Sequence, residues 1–466
     1  MKKSSSYIIV PGFDSSSHRA LYEKICMELN CTELILTPLK QYYRPTLILR
    51  SIYTLIKSLP SLIKCMLRKD IRLYSFDGQN FGRSINEEGL SRSSIGRFSI
   101  FDNGLYYIFK ANIIYNIIMQ LFKTHNIKMI IGGDDAYILF GLLSQTAIKE
   151  DIPVFFIKGM TNITLRGYDI KYYTSAPPYE ELYEQYKDNL SDKVLDFAEK
   201  RLIERCNGDK ASLSFMPRER YESRLKLQDE PSIIMFLHDL FDSPGIYGSN
   251  LFKSHVDWIE STIGYLKNKK LKFYIKTHPN EREISKNLSS IILNKHKKDI
   301  EIIDKDISLV ELKKTQVRAI LTVFGTVAIE AGYIGIPVIA AGRSPYSCGS
   351  NIRVPKNISE YFGMIELAIQ NKLAIPDRRE AIVKEALNNI LNWYLPTIEN
   401  ISFNDITQQD WNQSMKFDYP STLYERRKHY MGSKNFYKYL KNKYIGINFT
   451  NDGNFNVLSK ALVKTN

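Results

Sequence analysis

The chain has 466 residues, 44% hydrophobic and 24% charged, which predicts two large or three small globular domains at about 100–200 residues each. Its five cysteines (Cys26, Cys31, Cys65, Cys206 and Cys348) are scattered with no CxxC pair, which argues against a zinc ribbon or disulfide framework and for a reducing cytoplasm. A net charge of +14 favours an anionic ligand or membrane surface, and without a zinc-finger, RNA-binding aromatic or Arg-rich signature no nucleic-acid partner is expected.

The first element in chain order is "YIIV" (7–10), a four-residue apolar run ending at Pro11. It reads as a first strand rather than a secretion signal. "HRALYEKICMEL" (18–29) fits a helix and "TELILTPL" (32–39) a strand. Residues 45–69 are apolar but carry Arg50, Lys57 and Lys64 at seven-residue spacing, close to one helical face. Two readings stay open there: a basic amphipathic stretch lying on an anionic membrane surface, or a core-packed helix pair broken at Pro60. No run of about 18 uncharged apolar residues occurs. The expected location is therefore cytoplasmic, with residues 45–69 as the candidate for peripheral contact with the inner face of the cytoplasmic membrane.

Farther on, "IKMIIGG" (127–133), "AYILFGLLSQTAIKE" (136–150) and "IPVFFI" (152–157) give strand, helix, strand, the order of parallel βαβ units. Residues 179–230 read as a helical connector. A second series follows: strands at 232–238, 271–276, 299–303, 318–324 and 336–342, with helices at 255–269, 281–296 and 326–335. The expected architecture is α/β. It has an N-terminal acceptor-side domain (1–178), a C-terminal nucleotide-donor-binding domain (231–395), both doubly wound and Rossmann-like, and a helical tail (396–466) packed across them.

Ligands of parallel sheets bind beyond the carboxyl ends of the strands. In the second series those ends carry "HDLFDSPG" (238–245), with His238, Asp242 and Ser243, and "KTHPNE" (276–281), with Lys276 and His278. They also carry "FGTVAIEAGYIGIPVIAAG" (324–342), with Gly325, Thr326 and Glu330. Pro279 cannot extend a ladder and fixes His278 in an extended conformation, its ring aimed past the strand end; the plain alternative makes Pro279 the first residue of a helix. Gly325 permits a tight turn, Thr326 suits a helix N-cap, and Glu330 lies one helical turn deeper. The plain alternative is a buried βαβ turn with Glu330 solvated. For "HDLFDSPG" it is turn chemistry, and a lone His-Asp pair is weak grounds for a metal.

"KTHPNE" together with "FGTVAIEAGYIGIPVIAAG" resembles the nucleotide-binding domain of GT-B-type glycosyltransferases of bacterial capsule and O-antigen synthesis. The His-Pro motif is similar to the donor site of CMP-sugar transferases and of polymerases that use CDP-glycerol. "LYSFDGQNFGRSINEEGLSR" (73–92) and "DDAYILFGLLSQTAIKEDIPV" (135–154) resemble acceptor-domain segments of surface-polysaccharide proteins. One hydroxyl at Phe324-Gly325-Thr326, where the CMP-sugar pattern has two, keeps UDP- and GDP-sugars open. The resemblance implies a metal-independent glycosyltransferase without a cofactor, acting on a nucleotide-sugar (CMP-, UDP- or GDP-linked) and a glycan or lipid-linked glycan. His278 and Thr326 would hold the donor phosphates and Glu330 the ribose. An inverting reaction also needs a base, for which Asp135, Asp77 and Asp14 are the candidates. The rival readings are a polyol-phosphate transferase using a CDP-polyol, a non-hydrolysing UDP-sugar 2-epimerase-like isomerase, and a non-catalytic assembly protein.

Overall fold

The computed structural model describes residues 6–10, 31–36, 44–132, 136–152, 154–158, 164–167, 192–207, 230–242, 250–279, 281–303 and 307–389, with isolated positions at 39, 180–190 and 245–247. The expected helix at 18–29 and tail at 396–466 lie outside them. Two sheets organise the chain. In the first, β1 (Ser6–Val10), β2 (Thr32–Ile35), β3 (Asn126–Gly132), β4 (Val154–Lys158) and β5 (Thr164–Gly167) take the order β2-β1-β3-β4-β5. All its pairs are parallel except β4 with β5. Helices α1 (Pro45–Lys57), α2 (Leu59–Arg68), α3 (Gly82–Ser91), α4 (Leu105–Thr124) and α5 (Tyr137–Lys149) accompany it. Its core joins Ile9, Ile130 and Phe156 to Leu47, Leu62, Ile85, Ile118 and Leu142 from these helices.

The α1–α2 break falls at Ser58, not at Pro60. Pro60 sits in the first turn of α2, where a missing N–H costs nothing.

After α6 (Asp192–Asn207), the second sheet contains β6 (Ser232–Phe236), β7 (Phe273–Lys276), β8 (Glu301–Ile303), β9 (Val317–Thr322), β10 (Val338–Ala340) and β11 (Ile352–Arg353). Every pair is parallel and the order is β8-β7-β6-β9-β10-β11. Counted within this sheet, that is 3-2-1-4-5-6, the doubly wound Rossmann order. Side chains alternate across it as a pleat requires. Ile233, Met235, Ile275 and Leu321 pack under α7 (His255–Asn268), α8 (Glu283–Lys295) and α11 (Ile358–Ile369). Ile234, Tyr274, Ile320 and Val338 pack under α6, α9 (Leu309–Lys313), α10 (Val327–Tyr333) and α12 (Arg378–Asn389). The molecule is therefore α/β with two Rossmann-like sheets, as the sequence predicts.

The two halves meet through named bonds. Arg72, held by Asp70, donates from Nη1 to the Asn250 and Phe252 carbonyls at 3.0 and 3.1 Å. Arg97 pairs with Asp257 at 2.8 Å and with Glu260. On α3, Asn86 donates to the Lys253 carbonyl at 3.3 Å, and the Glu87 carboxylate accepts the Gly245 N–H at 2.7 Å.

Candidate functional site

The switch point of the second sheet lies between β6 and β9, and His238 lies two residues past the end of β6. Its ring is buried. The Nε2 atom accepts the Val323 N–H at 3.1 Å and lies 2.9 Å from the Thr322 hydroxyl. A nitrogen that accepts a backbone N–H carries no proton, so the ring is neutral. Burial lowers its pKa well below the ordinary value, aided by His255 and His278. Sequence reasoning offered His238 to the ligand; the structure uses it to pin the turn after β9. Gly325 closes that turn so tightly that an added Cβ would lie 3.3 Å from His238 Cε1 and 3.1 Å from Thr322 Oγ1.

His255, at the start of α7, stacks on His238 with ring centres 5.3 Å apart. Phe324 covers the pair, 4.7 Å from the His238 ring and 5.6 Å from His255. The Asp242 backbone reaches toward the ring, but among the described residues neither His255 nitrogen makes a well-formed hydrogen bond. Burial takes its pKa down to about 4, against the upward pull of the Asp242 backbone and Asp239.

The turn itself differs from expectation in one respect. Thr326 already has helical φ and ψ of −59° and −23°, and its side chain caps nothing, so its exposed hydroxyl is not spent on the backbone. His278 is half-buried just past β7 and close enough to His238 to act on its charge. Strand β7 ends at Lys276 and helix α8 begins only at Glu283, so Pro279 lies in the turn between them and is not a helix residue. Strand order puts β6 between β7 and β9, so His278 and Gly325 flank His238.

Other expected contacts lie elsewhere. Lys276 is 2% exposed, with its ammonium 5.3 Å from the centre of the Phe236 ring, and is not offered to solvent. Glu330 is buried and pairs with Arg205 at 3.5 Å, beside the bidentate Arg205–Glu385 contact at 2.9 and 2.8 Å. A ribose contact from Glu330 would require it to leave Arg205. Asp242 is exposed in the turn after β6, its N–H donating to the Asp239 carbonyl. Ser243, Asp14 and Asp135 lie outside the described residues. Asp77 forms a tight turn (φ 53°), accepting from Tyr115 at 2.7 Å and from Lys149. Lys149 ends the helix that runs back from the carboxyl end of β3. Asp77 is thus tied to the end of that helix far from the carboxyl end of β3. Among the described residues, no group of three His, Cys, Asp or Glu is placed to hold a metal ion.

One cation was missed. Arg282, between β7 and α8, is anchored by Asp239 through its backbone N–H, Nε and Nη2 at 2.9, 2.8 and 2.7 Å, yet its side chain is 58% exposed. Burial alone would raise the Asp239 pKa; the Arg282 hydrogen bonds outweigh it and hold the carboxyl below its usual range. Arg282 lies within electrostatic reach of Asp242 and of Tyr137, the first residue of α5 in the other domain. The only local signal was an Arg three residues past Pro279, which strand-end reasoning stops short of.

Neither family descriptions nor curated proteins give a match to the chain. Among solved structures, the chain is similar to the UDP-GlcNAc 2-epimerase of Methanocaldococcus jannaschii in complex with UDP-GlcNAc and UDP, at 13% identity over 83% of this chain and 99% of that one, TM-score 0.28. The Neisseria meningitidis UDP-GlcNAc 2-epimerase gives 12% identity over 83% and 99%, TM-score 0.27. The pneumococcal O-GlcNAc transferase GtfA gives 16% over 60% and 57%, TM-score 0.23. Likenesses at this level assign no chemistry, and the architecture stands on the strand order.

Proposed function

We propose that the protein is a GT-B-type glycosyltransferase that moves a sugar from a nucleotide-sugar donor to a growing bacterial surface polysaccharide, capsule or O-antigen. The observation that supports this reading is the grouping of His278, the Gly325–Thr326 turn and exposed Arg282 around the β6/β9 switch point, where doubly wound sheets take their nucleotides. A guanidinium, an imidazole and a free hydroxyl suit the phosphates of a donor. They would stabilise the charge that builds on the leaving phosphate oxygen as its bond to the sugar breaks. The acceptor hydroxyl forms the new bond and gives its proton to a carboxylate. Asp135 and Asp14, which follow the adjacent strands β3 and β1 in sequence, are the proposed bases.

The test is thermal unfolding with CMP, CDP, UDP and GDP. One nucleotide should raise the Tm, because a ligand at about 100 times its Kd adds about 2.7 kcal/mol. His278→Ala should lose that shift with its ligand-free Tm unchanged. The matching nucleotide-sugar should then release its nucleotide only when a glycan acceptor is present. No shift with any nucleotide overturns the site, and acceptor-free conversion of a UDP-sugar to its epimer overturns the transferase.

A further inference from the structure

Beside Leu47 and Leu55, the inner face of helix α1 is polar. Ser51, Thr54 and Ser58, on and just after it, point into the domain. There Asn116 donates to Ser51 and Thr54 at 3.2 and 3.3 Å, while Tyr74, held by Asn112, donates to Ser58 at 2.7 Å. The outer face is apolar: Leu49 is 69% exposed, Tyr53 and Ile56 57% each, and on α2 Ile63 is 53% and Leu67 79%. A helix that turns hydroxyls inward and Leu and Ile outward is not arranged for water on that side.

The charges around this face have one sign. Residues 44–69 contain Arg44, Arg50, Lys57, Lys64, Arg68 and Lys69, and no Asp or Glu. At 100° per residue, Arg50 and Lys57 run along one border of the apolar face of α1, where long stems reach past it and keep their charges in a polar layer. A second copy of the chain would bring this cationic rim against itself, so self-association is disfavoured.

We propose that the α1–α2 pair is an interfacial dock for an anionic lipid bilayer, lying in the headgroup layer with its Leu and Ile side chains in the acyl boundary. It lies in the membrane and does not cross it. The helices have 13 and 10 residues, about 20 and 15 Å against an apolar core of about 30 Å. They bend by 58° at Ser58, and the inner face of α1 is bonded to α4. This surface is separate from the donor site, and its test does not depend on that reading.

The test is sedimentation of the full chain with vesicles of phosphatidylcholine alone or mixed with phosphatidylglycerol. The mixed vesicles should bind it. Leu49→Ser/Ile56→Ser and Arg50→Gln/Lys57→Gln should each weaken binding about tenfold or more, and the second should blunt its salt dependence. All four positions are exposed, and an unchanged circular dichroism spectrum checks the fold. Failure to sediment with mixed vesicles, or wild-type binding by both variants, overturns the proposal. So does a dimer in light scattering that Leu49→Ser abolishes while vesicle binding is unchanged, which would assign the face to a second copy.

Discussion

At His255 the physical question is where a proton could go. The ring is 1% exposed, stacked on a neutral His238, and faces the Asp242 backbone without a well-formed hydrogen bond at either nitrogen. Its folded pKa of about 4 lies below the ordinary 6.5, so the unfolded chain takes up a proton that the folded one refuses. The stability is present in full above pH 6.5 and is lost as pH falls toward 4, by at most about 1.4 kcal/mol per pH unit for this group. His238, shifted the same way, adds to the loss. His255→Leu keeps the packing and removes the titration. Its Tm should therefore fall less between pH 7 and pH 5 than that of the unaltered protein, and an equal fall would refute the account. The same pair shows what a sequence withholds. "HDLF" reads as a ligand loop because nothing local reveals that the Val323 N–H will arrive at His238.

Among the elements, strands in continuous apolar runs were legible, since that signal is local, whereas the capped helices α9 and α11 were not read. Helix α7 starts where Ser254 accepts the Asp257 N–H, and β6 to β10 lie within the expected runs to within a few residues. Helix α4 was not read: "LYYIFKANIIYNIIMQLFKT" is apolar on most sides and shows no simple stripe. Glu330 was read at its correct place in a helix, but its partner Arg205 comes from α6, far upstream, and no local pattern announces that contact. The Arg205–Glu385 pair ties α6 to α12 in a dry setting. Removing Glu385 leaves buried Arg201 and Arg205 with Glu330 as the acidic group beside Arg205, so Glu385→Ala should cost about 3–5 kcal/mol in urea unfolding. Arg205→Met/Glu385→Leu should not recover that loss, because buried Glu330 then loses Arg205 and buried Arg201 loses Glu385. A single variant as stable as the parent would show that the pair is not what joins these helices.

For the whole molecule, the decisive contact is Gly245 against Glu87, where one domain's helix holds the other domain's loop. An added Cβ at Gly245 would lie 2.4 Å from Glu87 Oε1, so Gly245→Ala should loosen the seat of α3 and cost about 1–3 kcal/mol. The Tm should fall, and small-angle scattering should report a larger radius of gyration; an unchanged profile and Tm would show that the seat tolerates a methyl. Sequence reasoning recovered two doubly wound halves because each follows from its own strand–helix alternation. It did not recover this seat, because a glycine and a glutamate so far apart carry no shared pattern. The seat has a thermodynamic corollary. Gly245 follows the strand end that carries His238 and Asp239, so a donor that displaces it works against the Glu87 hydrogen bond. By linkage, whatever factor the donor imposes on the seating of α3, the seating of α3 imposes on donor affinity. If the proposed donor reaches this loop, the N–H of Gly245 and the carboxylate of Glu87 form one of the bonds through which that coupling would run.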